Sequence, residues 1–414
     1  MAEANYDWQG LVLVVAATGI LAVFLIPRLA QSEGKDFLLR VLVFGLLLKL
    51  GVAMVRYWVA FGVYEGSADA LRYHRSGTAI AQYIWRLEFE GVVPFLQWGT
   101  NFIEFFTGVI YSVVGPTLYG GYIIYALLAF LGSYCFYRAF RIAFPEGNKR
   151  LYAILVFLFP SILFWANGIG KDALIFLCIG LYGYGVAKLT RNQLQGLVPL
   201  VLGLLGALCI RPHITALLVL AFILAFMIRG TGKRAVRPAA FILGLLAVGG
   251  LAWFLIPRAM AYVGLEELSL EGVLGVLQLT QGLTLRGGSA FQVMDITNPL
   301  AFPMTMITLL FRPFPWEAHN LQALLQSLEG GLVMCLVLWR IKSLSKAVAS
   351  TISNTYTRYI LFYIIAFVVT FSVISNFGIL VRERAMLLPF FFMLIAYDGL
   401  GGRIESKPKK VITL

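Results

Sequence analysis

Apolar runs of about 16 to 25 residues follow one another along almost the whole chain, and they restrict the fold classes that it can adopt. A helix of about 20 such residues matches the thickness of a bilayer's hydrocarbon core. Only 13% of the residues are charged and 60% are apolar, against roughly 25% and 45–50% in soluble domains. We therefore predict an all-α polytopic membrane protein in which residues 1–414 form a single transmembrane domain.

The apolar runs predict about eleven transmembrane helices. They are expected at 9–28, 38–62, 118–137, 151–167, 172–187, 194–210, 214–228, 239–256, 321–339, 359–375 and 386–399. Two connections are long, at 63–117 and 257–320. Each contains an apolar piece too short to span, Phe102 to Val114 in the first and Ala301 to Phe311 in the second. Such pieces are expected to lie in the membrane interface or to form re-entrant segments.

Lys and Arg concentrate in every second connection, which is the bias of loops that stay in the cytoplasm. These connections hold most of the 33 basic residues, in groups at 28–40, 138–150, 188–191, 229–237, 340–358 and 403–410. With the basic tail inside and an odd number of spans, the N-terminus is expected outside. The net charge of +13 then reflects topology and attraction to anionic membrane lipids rather than nucleic-acid binding. We expect a multi-pass membrane protein with its C-terminus in the cytoplasm.

A second set of basic residues runs against this bias. Its members lie in or beside connections assigned to the outer face, and all but one are arginines: Arg72, Arg75, Arg86, Lys171, Arg211, Arg258, Arg286, Arg312, Arg382 and Arg384. Guanidinium groups bind phosphate through paired hydrogen bonds and stay charged in poorly hydrated sites. As a set they indicate an anionic substrate, although snorkelling or pairing with a nearby acid is an equal alternative for any one of them.

The densest group of candidate site residues is SADALRYHRSG, directly after the second predicted span. If this stretch is helical, Asp69, Arg72 and Tyr73 lie on one face, because they are three and four residues apart. Asp69 is then a candidate general base, while His74 and Arg75 could neutralise a phosphate. An ordinary acidic residue at the start of a helix is the alternative.

The segment FRPFPWEAHN, from Phe311 to Asn320, is the next candidate. Trp316 could stack on a sugar ring, Glu317 could titrate as a second catalytic acid, and Arg312 could bind phosphate. A structural turn at the aromatic belt is the alternative. Four more substrate-binding candidates, besides Arg382 and Arg384, are Lys171, Arg211, His213 and Arg286. Lys171 and Asp172 could instead neutralise each other.

The sequence predicts neither a metal site nor a cofactor. Its three histidines, His74, His213 and His319, lack the spacing of metal ligands, and no DxD pattern is present. A divalent cation held by Asp69 with other acids stays possible but is not indicated.

The order of these features resembles the GT-C-type glycosyltransferases that use polyprenyl-linked sugars, and the related polymerases of bacterial surface polysaccharides. The resemblance rests on SADALRYH, the interfacial helix after it, PSILFWANGIGKDALIFLCIGLYGYG, RPHITALLVLAF and RERAMLLPFFFMLIAYDGLGG. In that family an acid of the first outer loop is the catalytic base, which implies this role for Asp69, and basic residues hold the donor phosphate. The family's acid follows its first helix, so this chain would carry one extra leading helix.

We therefore expect an inverting glycosyltransferase or polysaccharide polymerase on the extracytoplasmic face. Its partners would be a polyprenyl-(di)phosphate-linked sugar donor, a glycan or lipid-linked acceptor and, in addition, proteins of polysaccharide assembly. A transporter or flippase of lipid-linked saccharide or another anionic solute is the main alternative. Transporters commonly carry inverted repeats, and we find no convincing repeat in this sequence. A non-catalytic scaffold is a third possibility.

Overall fold

The computed structural model describes residues 4–30, 35–63, 65, 69–228 and 301–399, with isolated positions between 242 and 291. Regular structure in these parts is helical, apart from one β-bridge between Ala290 and Asn376. The α-helices are α1 Ala4–Ala30, α2 Lys35–Trp58, α3 Asp69–Trp85, α4 Thr100–Val114, α5 Leu118–Ala143, α6 Lys149–Leu158, α7 Pro160–Phe164, α8 Lys171–Leu189, α9 Leu197–Ile210, α10 Pro212–Met227, α11 Ala301–Phe311, α12 Leu321–Trp339, α13 Ile341–Ala349, α14 Thr355–Phe371 and α15 Phe377–Ile395. The predicted all-α class is confirmed for the described residues.

Five described helices are long and apolar enough to cross a membrane: Asp7–Ala30, Asp36–Val63, Leu118–Ala143, Lys171–Leu189 and Leu321–Trp339. A sixth is counted if Ile341–Ile352 and Thr355–Phe371, which meet at 108°, form one broken span. The chain is therefore a membrane-embedded protein by the length and composition of its helices. The prediction of about eleven spans is not supported.

Two physical features of the described helices account for part of the difference from the prediction. The run 151–167 is divided at Phe159 into α6 and α7, because Pro160 cannot continue the hydrogen bonding of α6. The helices α9, α10 and α14 have only 14, 16 and 17 residues. Most of the predicted span 239–256 lies outside the described residues.

The last predicted span, 386–399, begins nine residues earlier than expected. Asn376 caps the helix, its side-chain oxygen accepting hydrogen bonds from Gly378 N at 2.9 Å and Ile379 N at 3.3 Å. The segment from Asn376 to Met386, predicted as a short loop, is therefore the first half of α15. As a result, the charged side chains of Glu383 and Arg384 lie in the protein interior.

The centre of the fold is a stack of closely packed helices in which α5 lies against α8 and α8 against α9. Their contact depends on small residues. A Cβ added at Gly180 of α8 would stand 2.7 Å from the carbonyl oxygen of Gly132 in α5, so only glycine allows the backbones to approach this closely. Beside this stack, α3 packs on α4 and α10 packs on α14.

The C-terminal ends of several helices gather on one side of the molecule, together with the basic residues that directly follow α8 and α12. Arg191, after α8, donates hydrogen bonds to the carbonyl oxygens of Ile142 and Ala143 at the end of α5. Arg340, after α12, donates to Ile395 O at the end of α15. The N-terminal ends of α8 and α15 therefore lie on the opposite side, which we call the distal side.

Candidate functional site

A cavity of about 340 Å³ opens on the distal side, where the end of α2 meets the starts of α3 and α8 and the first half of α15. Its wall is formed by Arg56, Val59, Ala60, Asp69, Ala70, Tyr73, Tyr122, Phe164, Trp165, Asn167, Gly168, Ile169, Gly170, Lys171, Asp172, Gln322 and Arg382. Three cations, two carboxylates and four aromatic rings thus share one space, which we call the distal cavity. Its volume falls at the small end of ordinary ligand pockets.

Asp69 and Tyr73 enter the cavity together because α3 begins at Asp69, so the two side chains are one helical turn apart. Asp69 is exposed and forms no ion pair with another described residue. Tyr73 is only 2% exposed, and burial raises its pKa well above the ordinary phenol range, with the charge of Asp69 adding to the rise. Tyr73 is therefore a neutral phenol beside a carboxylate.

Arg72 does not share this face, as the sequence suggested it would. Its Nε lies 2.7 Å from Oε1 of Glu104, on α4. Glu104 is almost completely buried, so the pairing supplies a counter-charge to a carboxylate that would otherwise be isolated. Arg72 thus joins α3 to α4 and does not line the distal cavity.

The three cations of the cavity come from three helices. Arg56 lies near the end of α2, with its guanidinium 5.0 Å from the ring of Phe164 and 5.4 Å from that of Trp165. Lys171 is the first residue of α8, and Arg382 is in the first half of α15. Within the described parts of the chain Lys171 has no ion-pair partner.

Asp172 forms ion pairs with two arginines, and the structure records no ion pair between it and Lys171, which was one of the two interpretations of this turn. Its Oδ1 lies 2.8 Å from Nη2 of Arg211, and its Oδ2 lies 2.7 Å from Nε of Arg382. Arg211 also pairs with Glu383. Neighbouring residues on a helix point in different directions, which leaves the Lys171 ammonium available to a ligand.

The loop before α8 is held on α2 by two buried polar side chains. Asn167 donates hydrogen bonds to Lys49 O at 2.9 Å and to Leu163 O at 3.1 Å. Lys49 in turn donates from Nζ to Ile162 O at 2.7 Å. Gly168 follows with a φ of +78°, and a Cβ there would stand 2.9 Å from the Tyr122 ring. These contacts bring Trp165 and Lys171 to the end of α2.

Several predicted site residues lie outside the cavity. His74 shares a hydrogen bond of 2.9 Å with the hydroxyl of Tyr111, and Arg75 is exposed on α3. His213 lies at the start of α10, with its ring centroid 6.2 Å from that of Phe371. Arg211 touches the site only through Asp172. Arg286 and Arg258 lie outside the described residues.

Arg384 is fully buried and serves the fold around α11 and α12. It donates to Leu310 O at 3.0 Å and pairs with Glu329 of α12 at 3.5 Å. Glu329 also accepts a hydrogen bond from Ser161. A partner of this kind offsets the cost of placing an acid inside a membrane span.

The predicted second catalytic group, Glu317, lies in a separate 3₁₀ turn after α11. Its carboxylate pairs with Arg312 and accepts a hydrogen bond from Phe314 N at 2.8 Å. Partial burial alone would raise the pKa of Glu317, but these hydrogen bonds outweigh burial and lower the pKa. Trp316 is 78% exposed and stacks on Phe314. None of these side chains lines the distal cavity.

Sequence reasoning missed Arg56, Asp172 and Gln322 as members of the site. A usable signal existed for Arg56, because a charged residue inside a predicted span marks a functional position by default. None existed for Gln322, which reaches the cavity from α12, about 150 residues further along the chain than Lys171.

No group of three or more His, Cys, Asp or Glu side chains that could hold a metal ion occurs in the parts of the chain that the structure describes. Comparison of the chain with protein-family models, curated proteins and solved structures finds no match.

Proposed function

We propose that this protein is a membrane glycosyltransferase, of the GT-C-like kind that the sequence resembles, and that the distal cavity is its active site. One observation carries the proposal: the exposed carboxylate of Asp69, which has no ion-pair partner among the described residues, shares a cavity with the cations of Arg56, Lys171 and Arg382. A proton acceptor beside concentrated positive charge suits transfer of a sugar from a phosphate.

The reaction uses Asp69 as the general base. Its carboxylate takes the proton of an acceptor hydroxyl while that oxygen bonds to the anomeric carbon of the donor sugar. The bond from this carbon to the donor's phosphate oxygen breaks, and its electron pair leaves with the polyprenyl phosphate or diphosphate. Because attack and departure occur on opposite faces of the sugar, the anomeric configuration inverts.

The cations stabilise the phosphate as its charge grows. Arginine and lysine already fixed in a poorly hydrated cavity need little reorganisation during the reaction, which is why preorganised charge lowers a barrier effectively. Lys171 fits this role best, since it forms no ion pair with a described carboxylate. Arg382 shares its charge with Asp172 and acts as part of a balanced group.

The aromatic wall supports a sugar ligand. Tyr73, Tyr122 and Trp165 line the same cavity, and rings of this kind stack on the apolar faces of sugars. Glu317 and Trp316 lie in another turn, so the proposal assigns the chemistry to Asp69 alone.

The distal side is proposed to be the extracytoplasmic side of a bacterial inner membrane, with the N-terminus outside and the C-terminus in the cytoplasm. This orientation agrees with the basic connections at the other end of the helices, since such connections stay inside. A polyprenyl-linked donor then approaches from the outer leaflet, and the acceptor is a glycan or lipid-linked saccharide delivered by partners in polysaccharide assembly.

The test uses purified protein in vesicles with radiolabelled polyprenyl phosphate and diphosphate sugars. We expect transfer of label to a glycan, and Asp69→Asn should reduce it about 10²- to 10⁴-fold, the usual contribution of a general base, without weakening donor binding. Glu90→Gln, which removes an exposed acid of the same connection, should leave transfer unchanged. Label that crosses the vesicle wall without being transferred would identify a flippase instead.

A further inference from the structure

A second cavity, of about 460 Å³, lies at the far end of α2 from the distal cavity. It is lined by Phe37, Arg40, Val41 and Phe44 from the first half of α2, and by Arg150 and Leu158 from the two ends of α6. Arg40 precedes Arg56 by sixteen residues, or about 24 Å along a helix. The two cavities are therefore separate, and we call this one the basal groove.

The basal groove has a charged edge. Arg40 and Arg150 both line it, and both are exposed. Arg40 donates from Nε to the backbone oxygen of Asp36, and Arg150 lies over the Phe37 ring, 5.5 Å from its centroid. Neither guanidinium pairs with a carboxylate among the described residues. Two arginines therefore face one opening with most of their hydrogen-bond donors unused.

The remainder of the groove is apolar. Val41 is buried, Leu158 is partly buried, and Phe44 is 54% exposed on the outer surface of α2. The face of α2 that carries Phe44 belongs to a predicted membrane span, so its natural neighbour is the hydrocarbon chain of a lipid. A slot with a cationic edge and an apolar wall complements a molecule with an anionic head and an apolar tail.

We propose that the basal groove binds a phospholipid with a net negative headgroup. Its phosphate bridges Arg40 and Arg150 through charge-assisted hydrogen bonds, and an acyl chain lies along Val41, Phe44 and Leu158. A zwitterionic lipid is disfavoured because its ammonium group would approach two guanidiniums. Charge complementarity and the position at the basic end of a membrane helix select this occupant.

The experiment is native mass spectrometry of the full chain in a neutral detergent, titrated with phosphatidylglycerol or phosphatidylcholine of equal chain length. We expect phosphatidylglycerol to be retained at lower concentration. Arg40→Gln and Arg150→Gln should each weaken its binding about tenfold, since each removes a hydrogen bond to a charged group. Lys342→Gln removes an exposed charge from α13 and should change nothing.

Two results would overturn the proposal. One is equal retention of the two lipids by the wild-type chain, which needs no variant. The other is wild-type binding of phosphatidylglycerol by the double variant Arg40→Gln/Arg150→Gln, whose folding is checked by its unfolding temperature. Addition of inorganic phosphate distinguishes a phosphate site from a lipid site. Competition at concentrations matching the lipid would be a third contrary result, because the apolar wall would then contribute nothing to binding.

Discussion

At the scale of single residues, the pairing of charged side chains determines which charges of the distal cavity are left for a ligand. Asp172 lies between Arg211 and Arg382, and Arg211 also pairs with Glu383. Buried carboxylates need such partners, because an uncompensated buried charge costs several kcal/mol. The group is balanced in itself, which leaves Asp69, Lys171 and Arg56 as the cavity-lining charges outside it.

This balance predicts different effects for two cations that the sequence made equal candidates for binding phosphate but that lie in different places in the structure. Lys171→Gln should weaken binding of a polyprenyl-phosphate sugar about tenfold or more, because it removes a charge from the phosphate site. Arg75→Gln should leave binding near the wild-type value, since Arg75 is exposed on α3 and does not line the cavity. Donor titration of both purified variants measures this; equal losses would contradict the assignment of Lys171.

At the scale of structural elements, the loop between α7 and α8 decides where the site forms. Asn167 attaches it to α2, while the Lys49 side chain attaches the preceding helix α7. The loop turns at Gly168, whose positive φ is costly for a residue with a Cβ. Neither α7 nor α8 alone determines the position of Trp165 or Lys171. Their position is determined by the attachment of the loop to α2.

Gly168→Ala should therefore destabilise the loop by about 1–3 kcal/mol, because it combines a strained φ with a contact to the Tyr122 ring. We expect a lower unfolding temperature and weaker donor binding. Gly51→Ala is the control: it lies on α2, and its added Cβ would meet nothing within 4 Å. The proposed role of the loop would be rejected by a Gly168→Ala protein that binds donor as well as the control.

The 3₁₀ turn at Pro315–Glu317 is a second element whose stability depends on a charge. Because hydrogen bonds lower the pKa of Glu317 in the folded protein, its carboxylate stabilises the fold above the ordinary glutamate pKa of about 4.3. This contribution is lost as the pH falls through the lowered value.

The unfolding temperature of Glu317→Gln should accordingly lie below that of the wild type near neutral pH, and the gap should close in acid. Thermal unfolding between pH 7 and pH 3 measures the gap. Glu88→Gln, which changes an exposed acid after α3, is the control and should unfold at the wild-type temperature near neutral pH. A Glu317→Gln gap that stays constant with pH would mean that the carboxylate's charge does not hold the turn.

At the scale of the whole molecule, the proposed function depends on the two ends of the helices facing different compartments. The distal cavity lies at the start of α8, and the loop after α8 contains Arg191, which binds the end of α5. A helix of 19 residues separates these ends by about 28 Å, close to the thickness of a bilayer's hydrocarbon core.

Cysteine labelling in intact cells tests this orientation. With Cys335, the exposed native cysteine, replaced by Ser, Gln97→Cys should react with a membrane-impermeant maleimide from outside. Gln193→Cys, in the exposed loop after α8, should react only after the cells are opened. The reverse pattern would place the distal cavity in the cytoplasm and remove the proposed outer-leaflet reaction.

Local sequence properties determine much of this fold. Apolar length predicts α1, α2, α5, α8 and α12 as spanning helices, and helical spacing predicts that Asp69 and Tyr73 share a face. The described helices do not support the predicted count of spans, because apolar character alone does not reveal where Pro160 interrupts a helix or where α15 begins.

The membrane character, the helical class and the one-sided basic connections thus follow from the sequence by itself, since each depends on neighbours along the chain. Only the tertiary structure decided that Lys171 and Arg382 meet Asp69, that Arg384 is buried against Glu329, and that Glu317 lies in another turn. The physical reason is that these meetings depend on how helices far apart in sequence cross and pack. The type of a residue and its spacing along the chain do not determine that packing.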